Sequence, residues 1–181
     1  MRHRIFIVGW IALLACSCQH FTPSGYQPLA REYALAYQKA YGHFYDSIPY
    51  GVVCLDLYSD GLSLDENNKI TGTGYNLCLT DIFVPDSLLE PGTYHSATSA
   101  QAFTMLPGRD YEGTPNGIYL LAIEEGKIQS IQLIDSGYVE VRDTTNAMTD
   151  LQFTLYYRNS YGGRATYKTH FQGDFEPWQN H

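Results

Sequence analysis

Six residues near the C-terminus put the chemistry of polar-ligand binding into one short stretch: Tyr156, Tyr157, Arg158, Asn159, Tyr161 and Arg164. Flat aromatic faces beside hydrogen-bonding side chains are how proteins hold sugars and many other polar ligands. The same residues also read as an ordinary hairpin, with tyrosines covering a sheet and the run from Asn159 to Gly163 making the turn. Other chemistries are less well supplied. His20, His43, His95, His170 and His181 lack the clustered spacing of a metal site. The loop with Asp60, Asp65, Glu66, Asn67 and Asn68 has oxygen ligands suited to calcium. Lys69 stands where a ligand should, however, and the required glycine is missing, so the loop reads as a solvated turn. There is no G-x-S-x-G, no paired Cys and His, and no glycine loop for phosphate. Two carboxylates that meet only in space would escape such a scan. Glu124 and Glu125 nevertheless fit a turn, and Asp56 fits the outward side of a strand. The reading is a non-enzymatic chain with no metal and no cofactor.

The other reactive side chains are thiols. Residues 5–16, IFIVGWIALLAC, form an apolar run that Arg2 and Arg4 precede. A charged start, an apolar stretch of about a dozen residues and a small residue at the exit describe an export signal. The run is too short to span a bilayer, which takes about 20 apolar residues. Leu13-Leu14-Ala15-Cys16 resembles the bacterial lipobox, in which cleavage precedes a lipid-bearing cysteine. That resemblance implies residues 1–15 as a signal peptide and Cys16 as the acylated N-terminus of the mature chain. Several acyl chains on Cys16 give stable anchoring where one is marginal. Cys18 fits the box less well. Ser17 in the second position, rather than Asp, points to retention at the outer membrane, with the membrane face left open.

Composition narrows the partners. The formal charge is −8, and removal of Arg2 and Arg4 leaves 9 Lys and Arg against 19 Asp and Glu, a charge of −10. An acidic body argues against nucleic acid or an anionic lipid surface as partner. About 160 residues are enough for one domain with a real core. With 16 tyrosines and 8 phenylalanines, the composition favours strands. The expected organisation is a lipidated tether over 16–27, one β-rich domain over 28–176 and a tail over 177–181 that holds Trp178.

The positioning elements follow from periodicity. Leu29, Tyr33, Tyr37, Ala40, Tyr41 and Phe44 fall near helical spacing, which predicts a short N-terminal helix over 28–45, closed off by Gly42 and Pro49. From Gly51 onward the pattern alternates. Pairing 51–58 antiparallel with 73–83 so that residue numbers sum to 132 sets Leu55 against Leu77 and Val53 against Leu79. A bulge at Asp60-Gly61 would shift this register by one. The same register sets Cys54 opposite Cys78 at a separation compatible with a disulfide, in an envelope compartment that permits one. Two unpaired thiols are the alternative. Further along, Ile118–Ile123 and Ile128–Ile134 flank a tight turn at Glu124–Lys127. Val139 and Val141 can face Phe153 and Leu151. Leu151, Phe153 and Leu155 can in turn face Phe171, Thr169 and Tyr167. The fold class is therefore all-β, an antiparallel meander forming a sandwich or a partly open, calycin-like barrel.

The runs GTGYNLCLTDIF, EPGTY, NGIYLLAIEEGK, SGYVEV, LQFTLYY and ATYKTHFQGDF resemble a group of small β-rich lipoproteins of Bacteroidales envelopes over most of residues 50–175. The resemblance implies fold and location and supplies no catalytic residues. Tyr138, Cys54 and Cys78 depart from the group's pattern. The functional expectation is a lipid-anchored envelope protein, a binding or scaffolding module. One version binds a glycan or small ligand through a Tyr-rich surface. Another docks an envelope protein, for instance by an exposed strand edge.

Overall fold

The computed structural model describes residues 32–42, 50–143 and 149–177, and every regular element among them is a β-strand. In chain order these are β1 (Glu32–Tyr33), β2 (Leu35–Gly42), β3 (Gly51–Tyr58), β4 (Leu62–Leu64), β5 (Ile70–Gly72), β6 (Gly74–Val84), β7 (Gly92–Ser96) and β8 (Thr104–Met105). They continue as β9 (Arg109–Tyr111), β10 (Thr114–Asn116), β11 (Ile118–Glu124), β12 (Lys127–Leu133), β13 (Ser136–Asp143), β14 (Thr149–Arg158), β15 (Arg164–Gly173) and β16 (Phe175–Pro177).

Twelve strands share one sheet, and β4–β5 and β9–β10 form separate two-stranded hairpins. The large sheet runs β1-β15-β14-β13-β7-β8-β6-β3-β2-β16, while β11 joins β6 beside β8 and carries β12 outward. Only Ala34 separates β1 from β2, and only Asp174 separates β15 from β16. The first segment lies parallel to the second along one edge and antiparallel to β3 along the other. The sheet therefore curls into a half-barrel. Its wall is thinnest at β8, which holds β6 and β7 by two residue pairs on each side.

The concave side is the core. Leu55, Leu57, Leu77, Leu79, Tyr94, Leu151, Phe153 and Phe171 are almost fully buried there. Each such side chain contributes about 1.5–3 kcal/mol relative to exposure. On the convex side, the β4–β5 hairpin covers a second cluster made of Tyr58, Leu62, Cys78, Leu121 and Ile123.

The N-terminal helix expected over 28–45 does not form within the described part of that span, since residues 32–42 are β1 and β2. The tyrosine spacing of four suits either conformation, and tertiary pairing decides. Ala36 sits opposite Leu57 and is wholly buried, so its small side chain lets the closing strand lie against the core. Tyr33 anchors the same segment from inside by a 2.7 Å hydroxyl–hydroxyl hydrogen bond to Tyr167.

The register of β3 and β6 also departs from expectation. Leu55 faces Leu79, Leu57 faces Leu77, and a bulge falls between Val53 and Leu55. For Leu55 and Leu57 the slip is two residues, which keeps both on their expected face while changing their partners, and beyond the bulge Val53 meets Ile82. Cys78 consequently faces Asp56, not Cys54, and both sulfurs are thiols. The remaining pairings form as read. Val139 faces Phe153, Val141 faces Leu151, and β14 meets β15 with Leu155 against Tyr167. In the β11–β12 turn, Glu125 and Gly126 both take positive φ, at 49° and 73°. That is the handedness a two-residue hairpin loop needs.

Candidate functional site

The hairpin end that gathers six candidate residues does not present them together. Tyr156 lies on the convex face, with the Arg164 guanidinium 4.4 Å from its ring centre. Arg158 reaches Asp135 at 3.8 Å. Asn159 is used by the turn: its Oδ1 accepts from the Tyr161 and Gly163 backbone N–H groups at 3.1 and 2.9 Å. Tyr161 projects from the tip at 85% exposure. Tyr157 points the opposite way and packs against the core. The calcium-like loop is likewise a turn, with Asp65 Oδ1 accepting from the N–H groups of Asn67 and Lys69 at 2.9 Å each. Cys16 lies outside the described residues.

Sequence reading missed a polar row on the convex face. Strand pairing sets Tyr37 of β2, Asp56 of β3, Cys78 of β6 and Tyr119 of β11 directly opposite one another in succession. Cys78 Sγ–H donates to Asn76 Oδ1 at 3.0 Å, and the Asn76 amide donates to the Leu57 carbonyl at 3.2 Å. Cys54, at the bulge, donates its thiol proton to the Thr80 carbonyl. Burial raises the Asp56 carboxyl, against the opposing effect of its polar neighbours Cys78 and Asn76. Burial and then the charge of Asp56 push the Cys78 thiol well above its ordinary value. Burial also raises Tyr58 and Tyr119. A buried thiol held protonated is a poor nucleophile, and the row joins four strands across the convex face. Each member falls on the polar side of its strand's alternation, and only the true register brings the four together.

Two concavities bear on binding. One is a shallow groove of about 720 Å³ on the convex face of β13, β14 and β15. Its walls carry Glu32, Glu140 and Asp150 against Arg142 and Lys168, and Arg142 already pairs with Glu140 at 3.1 Å. Charges so interspersed are what a solvated sheet face carries. The other is a recess of about 350 Å³ where β11 and β12 diverge from the curled sheet. Its wall holds Tyr75, Ala122, Glu124, Gln129 and Ser130, with Thr73 at the rim. Tyr75 pairs with Ala122, and its half-buried ring lines the recess while packing in part against the core. The bulge beside Ala122 and Ile123 brings both Gln129 and Ser130 to this side of β12.

Behind the recess, the interior carries more tyrosine. Tyr75 and Tyr157 are both electrostatic neighbours of Tyr167, which holds Tyr33. Burial, followed by the neighbouring Tyr167, raises the Tyr33 hydroxyl well above its ordinary value. The mouth of the half-barrel thus combines one half-buried ring with an amide, a hydroxyl and a carboxylate. Against this geometry stand the comparisons: no family model, curated protein or solved structure matches the chain.

Proposed function

We propose that the chain is a lipid-anchored envelope protein whose β-rich domain is a non-enzymatic binding module, taking a glycan in the recess beside Tyr75. The recess carries the reading. Its volume lies near the lower end of the range of small-ligand sites, about 300–1,000 Å³. A tyrosine face flanked by Gln129, Ser130 and Glu124 offers stacking together with directional hydrogen bonds, which is what a saccharide ring uses. The packed core below supports a ligand seated at the mouth and not at the centre.

The address rests on Leu13-Leu14-Ala15-Cys16 and on the likeness to Bacteroidales envelope lipoproteins. In this reading Cys16 carries the lipid, residues 16–27 form the tether and the domain stands at the outer membrane. The test is calorimetric titration of the protein with a panel of neutral, acidic and N-acetylated oligosaccharides. Gln129→Ala should weaken binding roughly five- to tenfold, the scale of one lost hydrogen bond. Tyr161→Ala should leave binding unchanged. The reverse pattern would move the site to the hairpin tip, and no binding across the panel would reject a glycan ligand.

A further inference from the structure

Strand β12 pairs with β11 on one edge, and among the described residues no strand pairs with the other. An unpaired edge is a template for another chain unless it is blunted by charge, proline or burial. Here Lys127 guards only the start of KIQSIQL, and the stretch from Ile128 to Leu133 carries no charge. The bulge that turns Gln129 and Ser130 toward the mouth leaves Ile128 and Ile131 together on the convex face, opposite Ile123 and Leu121. They are 56% and 47% exposed. Beside them, the β9–β10 hairpin forms a niche of about 200 Å³, lined by Asp110, Gly113 and Pro115 against Ile131 and Leu133.

We propose that this edge docks an extended, basic segment of a partner protein, which adds to the sheet as a further strand beside β12. Main-chain hydrogen bonds supply the attraction in such additions, and side-chain niches supply the selectivity. The niche accepts one apolar side chain of the incoming strand. Charge decides the rest. Asp110 lines the niche, and Glu112 and Glu125 stand in the turns of the β9–β10 and β11–β12 hairpins, against Arg109 and Lys127, while Asp135 is taken by Arg158. A strand with lysine or arginine beside its apolar residue complements that rim. A second copy of this chain, itself at a formal charge of −8, would bring two acidic rims together. The site uses the convex face and free edge of β12, and stands or falls independently of the glycan recess on the other face.

The test uses the full chain in detergent and three synthetic peptides: alternating lysine and valine, its glutamate–valine counterpart, and the lysine–valine peptide N-methylated at alternate backbone nitrogens. Fluorescence anisotropy should show binding of the first and a loss of about tenfold or more for each of the others, since one lacks complementary charge and the other the ladder hydrogen bonds. Ile131→Ser should weaken the lysine–valine peptide several-fold. Asp110→Asn, which keeps the acceptor for the Gly113 N–H at 2.9 Å, should do the same. No binding, equal binding of the three peptides, or insensitivity to both variants overturns the proposal. Sedimentation showing a dimer that Ile131→Ser dissolves also overturns it, by giving the edge to a second copy.

Discussion

Asp56 stands on the convex side of β3, with Cys78 directly across one edge and Tyr37 across the other. Burial raises its carboxyl, so the folded protein holds the proton more tightly than the unfolded chain does. The linkage has a definite sign. The stabilising contribution of the proton is complete below the ordinary carboxylate range, at about pH 4, and is lost as pH rises through the raised folded value. Asp56→Asn imitates the protonated form. Urea denaturation of wild type and Asp56→Asn should therefore give a stability difference that shifts in favour of the variant between about pH 4 and pH 7. A difference that stays constant across that interval would contradict the assignment. The variant isolates the one carboxylate embedded in the polar row, whereas Asp60, Asp65 and Glu66 stand on the β4–β5 hairpin and the turns that bound it.

At the scale of elements, the β11–β12 turn is the clearest link from residue to geometry. Gly126 adopts φ +73°, and a Cβ there would meet the Ile70 carbonyl oxygen at 2.7 Å. Gly126→Ala should cost about 1–2 kcal/mol, from the left-handed backbone and the displaced β5 together. Chemical denaturation measures it, and an unchanged midpoint would contradict the turn. This hairpin was legible in the sequence because Glu124-Glu125-Gly126-Lys127 carries its own turn chemistry between two apolar runs. The β13–β14–β15 meander was legible for a related reason, since Val139, Phe153 and Leu155 alternate cleanly and only one face can be buried. Residues 51–83 were read on the right faces but with the wrong partners. No short turn ties β3 to β6, and the β4–β5 hairpin and a bulge intervene. Tyr33 and Tyr37 suited a helix by spacing and became strand because β3 and β15 were there to pair with them. That information is non-local. The same reason hid the candidate site: Tyr75 lies over 50 residues from Gln129 and Ser130 in the chain and meets them only through the paths of β6, β11 and β12. The hairpin tyrosines, close in sequence, were visible and separate onto opposite faces.

At the scale of the whole molecule, the proposed lipid anchor at Cys16 would tether a half-barrel with a recess at its mouth. The anchor has its own check: labelled palmitate should enter the wild-type chain and be absent from Cys16→Ser, and labelling of that variant would contradict the lipid assignment. The packed core leaves the proposed ligand only the rim. Phe153 and Phe171 fill the concave side, and the curl is closed by β1–β2 lying against β15–β16. The central claim is that the rim beside Tyr75 is where a glycan sits. It is tested most directly by following carbon-labelled tyrosine rings by NMR during titration with the tightest-binding oligosaccharide of the panel. The Tyr75 ring signals should shift in a saturable manner while those of Tyr161, at the exposed hairpin tip, stay in place. Shifts confined to Tyr161 and Tyr156, with Tyr75 unmoved, would contradict it.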